Sequence, residues 1–267
     1  MDRYADLFNQ LKTKNEGAFV PFVMLGDPDI DTSFEIICTL VDNGADALEL
    51  GFPYSDPIAD GPTIQLASIR ALGQHIRPDD CFDIIQRVRQ RYPHIAIGLL
   101  LYSNLVFKRG INAFYQTAAQ HGVDSILLAD VPLREGEPFR LAAREHGIKQ
   151  ILIAPPNASE DALADIARNT QGYTYLLGRA GVTGTESTAT TPVTELVNKL
   201  NQHHAAPAII GFGISKPEHV KAAIAAGAAG AIAGSATVNI INDNLSDKSA
   251  LHSKLADFVR QMKAATR

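Results

Sequence analysis

Three carboxylates fall within one short stretch, Leu48-Glu49-Leu50-Gly51-Phe52-Pro53-Tyr54-Ser55-Asp56-Pro57-Ile58-Ala59-Asp60-Gly61-Pro62. Acids grouped in this way can give up protons, take them back, or hold a developing positive charge. Alternation over 46–50 predicts a strand with Ala47, Glu49 and Gly51 on one face and Leu48 and Leu50 on the other. Gly51 and the prolines at 53 and 57 then rule out helix or strand until Pro62, which suits the first position of a helix. Glu49 therefore sits on a strand among apolar neighbours, while Asp56 and Asp60 ride on a stiff loop. Turns also recruit Asp and Pro for backbone reasons alone. A glutamate in a buried strand, by contrast, needs a partner or a task.

A second kind of chemistry is suggested by Gly211-Phe212-Gly213-Ile214-Ser215 and Gly234-Ser235-Ala236. Glycines let backbone N–H groups approach an anion, and a helix starting at Ser235 would aim its positive end at one. The alternative is a pair of turns that only reverse the chain. The stretch from Gly178 to Thr191 is small, polar and glycine-containing, which describes either a lid over a site or a plain surface loop. No lysine falls at the C-terminal end of a predicted strand, where a Schiff base would need one. The eight histidines fall in predicted helices or turns and form no metal-ligand pattern. The carboxylates are left as the chemical groups.

These residues need elements to hold them. Apolar runs at 18–24, 46–50, 95–101, 124–129, 149–153, 173–177, 207–211 and 229–233 read as strands. Helical patterns lie between them, near 32–43, 62–73 with 79–91, 111–121, 136–146, 158–168, 192–204 and 217–226. A further helix precedes the first strand over 2–14, and 235–242 and 247–264 close the chain. Strand–helix alternation without hairpins implies a parallel sheet, and eight such units favour a single (β/α)8 TIM barrel over 1–267. It would carry an extra N-terminal helix and an extra short helix after strand 8. In such barrels function collects where strands end, and the loops after strands 7 and 8 often bind phosphate. Those loops are the glycine segments above. Phe22, Leu100, Leu127, Tyr175, Phe212 and Ile232 lie near strand C-termini and would either wall a pocket or simply fill the core. Asp31-Thr32-Ser33 and Ser159-Glu160-Asp161 offer helix N-caps, and Pro78, Pro138, Pro192 and Pro217 are placed to open helices.

The composition, 46% hydrophobic and 20% charged with a formal charge of −5, fits a globular protein and not a nucleic-acid surface. No apolar run approaches the ~20 residues of a membrane span, and the N-terminus lacks a signal-peptide core. Cys38 and Cys81 fit buried small hydrophobes. A cytoplasmic location is expected.

The segment Glu49 to Gly61, together with Gly17-Ala18-Phe19-Val20-Pro21-Phe22, Gly181-Val182-Thr183-Gly184 and Gly211-Phe212-Gly213-Ile214-Ser215, resembles the tryptophan synthase alpha subunit over essentially the whole chain. The resemblance implies cleavage of indole-3-glycerol phosphate to indole and glyceraldehyde 3-phosphate. It implies Glu49 and Asp60 as catalytic groups and Phe22, Leu100, Leu127, Tyr175, Phe212 and Ile232 as an indole site. Gly184, Gly213, Gly234 and Ser235 would hold the phosphate, and Thr183 on the lid would reach Asp60. It further implies no metal and no cofactor in this chain, and a tetramer of two alpha and two pyridoxal-phosphate-bearing beta subunits. Two positions depart from the pattern: Gly178 and Ala233 stand where serine is expected. Rival readings are an isomerase or cyclising synthase on a related phosphorylated indole, a flavin-binding barrel, and a non-catalytic regulatory subunit.

Overall fold

The computed structural model describes residues 1–178 and 192–267. Its strands are β1 Ala18–Met24, β2 Ala47–Gly51, β3 Ala96–Leu101, β4 Ser125–Leu128, β5 Lys149–Gln150, β6 Ile153–Ala154, β7 Thr174–Leu177, β8 Ala208–Gly211 and β9 Gly230–Ala233. All the described pairings are parallel, in the order β5-β4-β3-β2-β1-β9-β8-β7-β6. The ends of that order are two halves of one strand. β5 pairs with β4, β6 pairs with β7, and between them the Ile151 N–H bonds back to Ile126 and the Leu152 carbonyl accepts from Tyr175. The sheet therefore closes on itself as a TIM-type barrel. The predicted fifth strand is split at 151–152 because its two halves serve different neighbours.

Strand side chains divide by parity. Leu48, Leu50, Ile97, Leu99, Ile126 and Ile210 point outward into the main core beneath the helices. Ala47, Val20, Ile151, Tyr173, Tyr175, Ile209 and Ile232 fill the barrel interior. The N-terminal helix Arg3–Lys14 closes the bottom: Tyr4 is buried in the interior cluster and its hydroxyl bonds Ser125 Oγ at 2.8 Å. Two acids just ahead of strands secure the same end. Asp46 accepts the Phe19 N–H at 2.8 Å and pairs with Lys263 at 2.9 Å. Asp124 accepts the Ile97 N–H at 2.8 Å and pairs with Arg3 and Arg89. Lys263 belongs to the closing helix Lys248–Ala264, which also pairs with Glu16, so the two chain ends meet at the barrel base.

Local boundaries mostly follow their chemistry. Gly44, Gly122 and Gly147, each just before a strand, have positive φ. Pro62, Pro78 and Pro217 open helices, and Ser159 caps Glu160–Asn169 through the Ala162 N–H. Three expectations are corrected. The cap of the helix Ile30–Asp42 is Asp29, which takes both the Thr32 N–H and its hydroxyl, so the helix begins ahead of the Asp31-Thr32-Ser33 group. Pro192 is a cap residue, one place before Val193–Gln202. The stretch 102–110, left without an element between the expected strand 95–101 and the expected helix near 111–121, holds a seven-residue helix, Ser103–Arg109.

Candidate active site

Glu49 lies in β2 opposite Phe22 of β1 and Gly98 of β3. It is 2% exposed, and among the described residues its side chain is hydrogen-bonded by the Tyr173 hydroxyl at 3.1 Å. Burial pushes its pKa up to about 7, with the Tyr173 bond pulling weakly the other way. At neutral pH the group is thus poised between donor and acceptor, as acid–base catalysis requires. Gly98 has to be small here, since a Cβ would lie 2.8 Å from Ser125 Oγ and 3.0 Å from Tyr4 Oη.

Asp60 reaches the same space from the loop after β2. Its N–H bonds the Pro57 carbonyl at 3.2 Å, and its carbonyl accepts from Gln65 at 2.7 Å on the helix Pro62–Gly73. Burial raises its pKa to about 6, opposed by the hydroxyl of Tyr102. Its carboxyl group is therefore mostly ionised at neutral pH while Glu49 is about half protonated. Burial raises both acids, and what distinguishes them is placement: Glu49 is fixed on a strand against Tyr173, while Asp60 rides on a loop beside Tyr102.

Glu49 and Asp60 face one cavity of about 370 Å³, within the range of small-molecule sites (~300–1,000 Å³). Phe22, Leu100, Tyr175 and Ile232 form its apolar walls, joined by Ile64 of the following helix. The aromatic walls depend on glycine. A Cβ at Gly211 would lie 2.1 Å from Tyr175 Oη, and one at Gly51 would lie 2.7 Å from Phe22 Cζ. On another side, Phe212, Gly213, Gly234 and Ser235 line the cavity. Ser235 opens the helix Ser235–Asn242, so free N–H groups and a positive dipole end border the cavity. Gly213 has a φ of +79°, with open space where a Cβ would be.

Ten of the thirteen expected site residues thus line one cavity. Leu127 is packed in the interior beside Leu100, its partner in register, and does not line the cavity surface. Thr183 and Gly184 lie outside the described residues. At the two departures, a Cβ on Gly178 would sit 3.2 Å from the Phe212 carbonyl oxygen, and Ala233 is fully buried in β9. Sequence reasoning passed over Tyr102, because a tyrosine just beyond an apolar strand carries no signal of its own. The described residues lining the cavity include no lysine or histidine, and no group of three or more His, Cys, Asp or Glu among the described residues is placed to hold a metal ion.

A closed parallel barrel with a buried and a half-buried acid on one cavity, bordered by glycine turns and a helix N-terminus, has the layout of a TIM-barrel enzyme. Residues 8–267 match the family model described as tryptophan synthase alpha chain. The chain is 58% identical over 266 residues to the tryptophan synthase alpha chain of Cronobacter sakazakii, covering 100% of this chain and 99% of that one. It is 59% identical over 265 residues to that of Francisella tularensis, covering 99% and 98%. The crystal structure of tryptophan synthase subunit alpha from Legionella pneumophila superposes with a TM-score of 0.88 at 29% identity, covering 100% of this chain and 98% of that one. The chain belongs to the tryptophan synthase alpha chain family.

Proposed function

We propose that the chain cleaves indole-3-glycerol phosphate to indole and glyceraldehyde 3-phosphate, with Glu49 moving the protons and Asp60 holding the charge. The observation that carries this reading is the pair of acids on one cavity, with pKa values of about 7 and about 6. Indole cannot leave as a carbanion, so its C3 must first gain a proton, and protonated Glu49 supplies it. The positive charge that results is shared with the ring nitrogen, whose N–H the Asp60 carboxylate holds. As the C–C bond breaks, its electrons return to the ring and the side-chain hydroxyl gives up its proton to become the aldehyde. Glu49, left as a carboxylate by the first step, takes that proton and is restored. Tyr175 and Tyr173 are poor candidates for this base, because burial holds both phenols well above their ordinary range and keeps them neutral. Gly213, Gly234 and Ser235 receive the phosphate.

Both proton steps and the charge stabilisation come from side chains, so this chain needs no metal and no cofactor of its own. Its partner is the tryptophan synthase beta subunit, which carries pyridoxal phosphate in an assembly of two alpha and two beta chains. The barrel works as one domain over 1–267, tied end to end by Lys263 and Arg267 on Glu16. None of the described helices is long and apolar enough to cross a membrane, in keeping with work in the cytoplasm.

The test is to incubate the purified chain with indole-3-glycerol phosphate and measure indole. Wild type releases it. Glu49→Gln loses at least ~10²-fold in turnover, the lower range for a general acid–base residue, while still binding substrate. Asp60→Asn also loses turnover, since an amide offers no negative charge to the ring nitrogen. No indole from wild type, with or without the beta subunit, overturns the reading.

A further inference from the structure

We propose that Tyr102 is a positioning residue for Asp60: its hydroxyl fixes both the backbone that carries the carboxylate and the direction in which that carboxylate points. The inference rests on the reading of Asp60 given above and deepens it. Tyr102 follows β3 directly and is 4% exposed. Its hydroxyl oxygen accepts the Ala59 N–H at 3.0 Å, one residue ahead of Asp60. That acceptor bond leaves the phenolic proton free for another partner, and the hydroxyl acts on the neighbouring Asp60 carboxyl group to hold its pKa down. Burial and the neighbouring Asp60 hold the phenol far above its ordinary range, so the proton stays in place to be donated.

Tyr102 is itself held on both sides. Its ring stacks on Tyr54 at 5.3 Å between centroids and 28° between planes, and Asn104 donates to the Tyr54 hydroxyl at 3.1 Å. The next residue, Ser103, gives its N–H and its hydroxyl to the two oxygens of Asp130, each at 2.8 Å. The loop after β2 is thereby joined to the ends of β3 and β4 through one phenol. The ionisable groups that act on this corner are Glu49, Tyr175 on β7, Tyr102 after β3, and Asp130 beyond it. Among the described residues no cation acts there, and the Tyr102 hydroxyl is what favours the ionised carboxylate.

Tyr102→Phe keeps the ring and its stacking and removes the one oxygen. Two measurements on the full chain test the proposal. Kinetics with indole-3-glycerol phosphate should show kcat reduced about 10- to 100-fold, the scale of a misplaced catalytic group, with KM changed far less. The acid limb of the rate profile, set by Asp60, should move to higher pH, because the hydrogen bond that opposes protonation is gone. The carboxyl pKa of Asp60, followed by carbon-13 NMR in the free protein, should rise in parallel. That arm needs no turnover, so absence of activity in wild type counts against the function and leaves the Tyr102 inference to the titration. An Asp60 pKa and an acid limb both unmoved in Tyr102→Phe overturn the proposal, whatever happens to stability. Should that variant not fold, Ser103→Ala cuts one of the bonds on the turn that carries Tyr102. It should move the Asp60 titration the same way by less, and an unmoved titration there also overturns the proposal.

Discussion

Glu49 is costly to the fold for the same reason that it is useful. Its ordinary pKa of 4.5 rises to about 7 on burial, so between those values the folded chain holds a proton that the unfolded chain releases. Stability from this group is full below pH 4.5, falls as the pH rises toward 7, and is flat beyond. The loss amounts to about 3 kcal/mol at 1.36 kcal/mol per pKa unit. Glu49→Gln keeps the shape and the Tyr173 contact but has no proton to lose. Denaturant unfolding should therefore find Glu49→Gln and wild type alike near pH 4.5, with the variant more stable by up to about 3 kcal/mol at pH 8. Equal stability of the two at pH 8 would mean that water reaches Glu49 in solution. A residue that is replaced with a gain in stability and a loss of turnover is one kept for its chemistry.

At the scale of elements, the anion end of the cavity depends on how the helix Ser235–Asn242 begins. Ser235 is exposed at its first position, where an acid favours the helix dipole by ~0.3–1 kcal/mol. Ser235→Asp should leave the melting temperature unchanged or slightly raised while placing a negative charge at the proposed phosphate site. Calorimetry should then show glycerol phosphate binding sharply weakened and free indole binding nearly intact. Equal loss for both ligands would indicate local unfolding. This helix was legible because Gly234-Ser235 stands at a recognisable break after an apolar run, and its bounds follow the periodicity. Glu49 was legible for a similar reason, as a charge where an apolar strand has no use for one. The helix Ser103–Arg109 was not: seven residues are two turns, too few for a period to register. Tyr102 and Asp29 were missed because each acts through a partner distant in sequence or through exact backbone placement. The split of the fifth strand is a property of barrel closure, which Ile151 and Leu152 satisfy with ordinary apolar side chains.

At the scale of the whole molecule, the loops beside the cavity also carry exposed apolar residues. The loop that carries Asp60 also presents Ile58, 80% exposed, and the short helix after β3 presents Phe107, 57% exposed. Asp56 lies on the same loop, exposed, with its carboxylate bonded by its neighbour Ser55. Indole is small, uncharged and easily lost, so a partner that consumes it gains by docking over the mouth that releases it. Pro53 and Pro57 stiffen the loop, and Tyr102 ties it down at Ala59, so docking meets a preformed surface at low entropic cost. Three residues separate Asp56 from Asp60, and a rigid loop that shifts at one shifts at the other. Binding of the beta subunit and catalysis by this chain should then be coupled, each favouring the other. Asp56→Ala leaves Glu49 and Asp60 in place and removes one charge from the rim. It should leave indole release by the isolated chain near the wild-type rate, weaken binding of the beta subunit in a titration, and reduce the activation that binding brings. If affinity and activation both stay at wild-type levels, Asp56 only serves its turn, and the coupling must run through Ile58 and Phe107 instead.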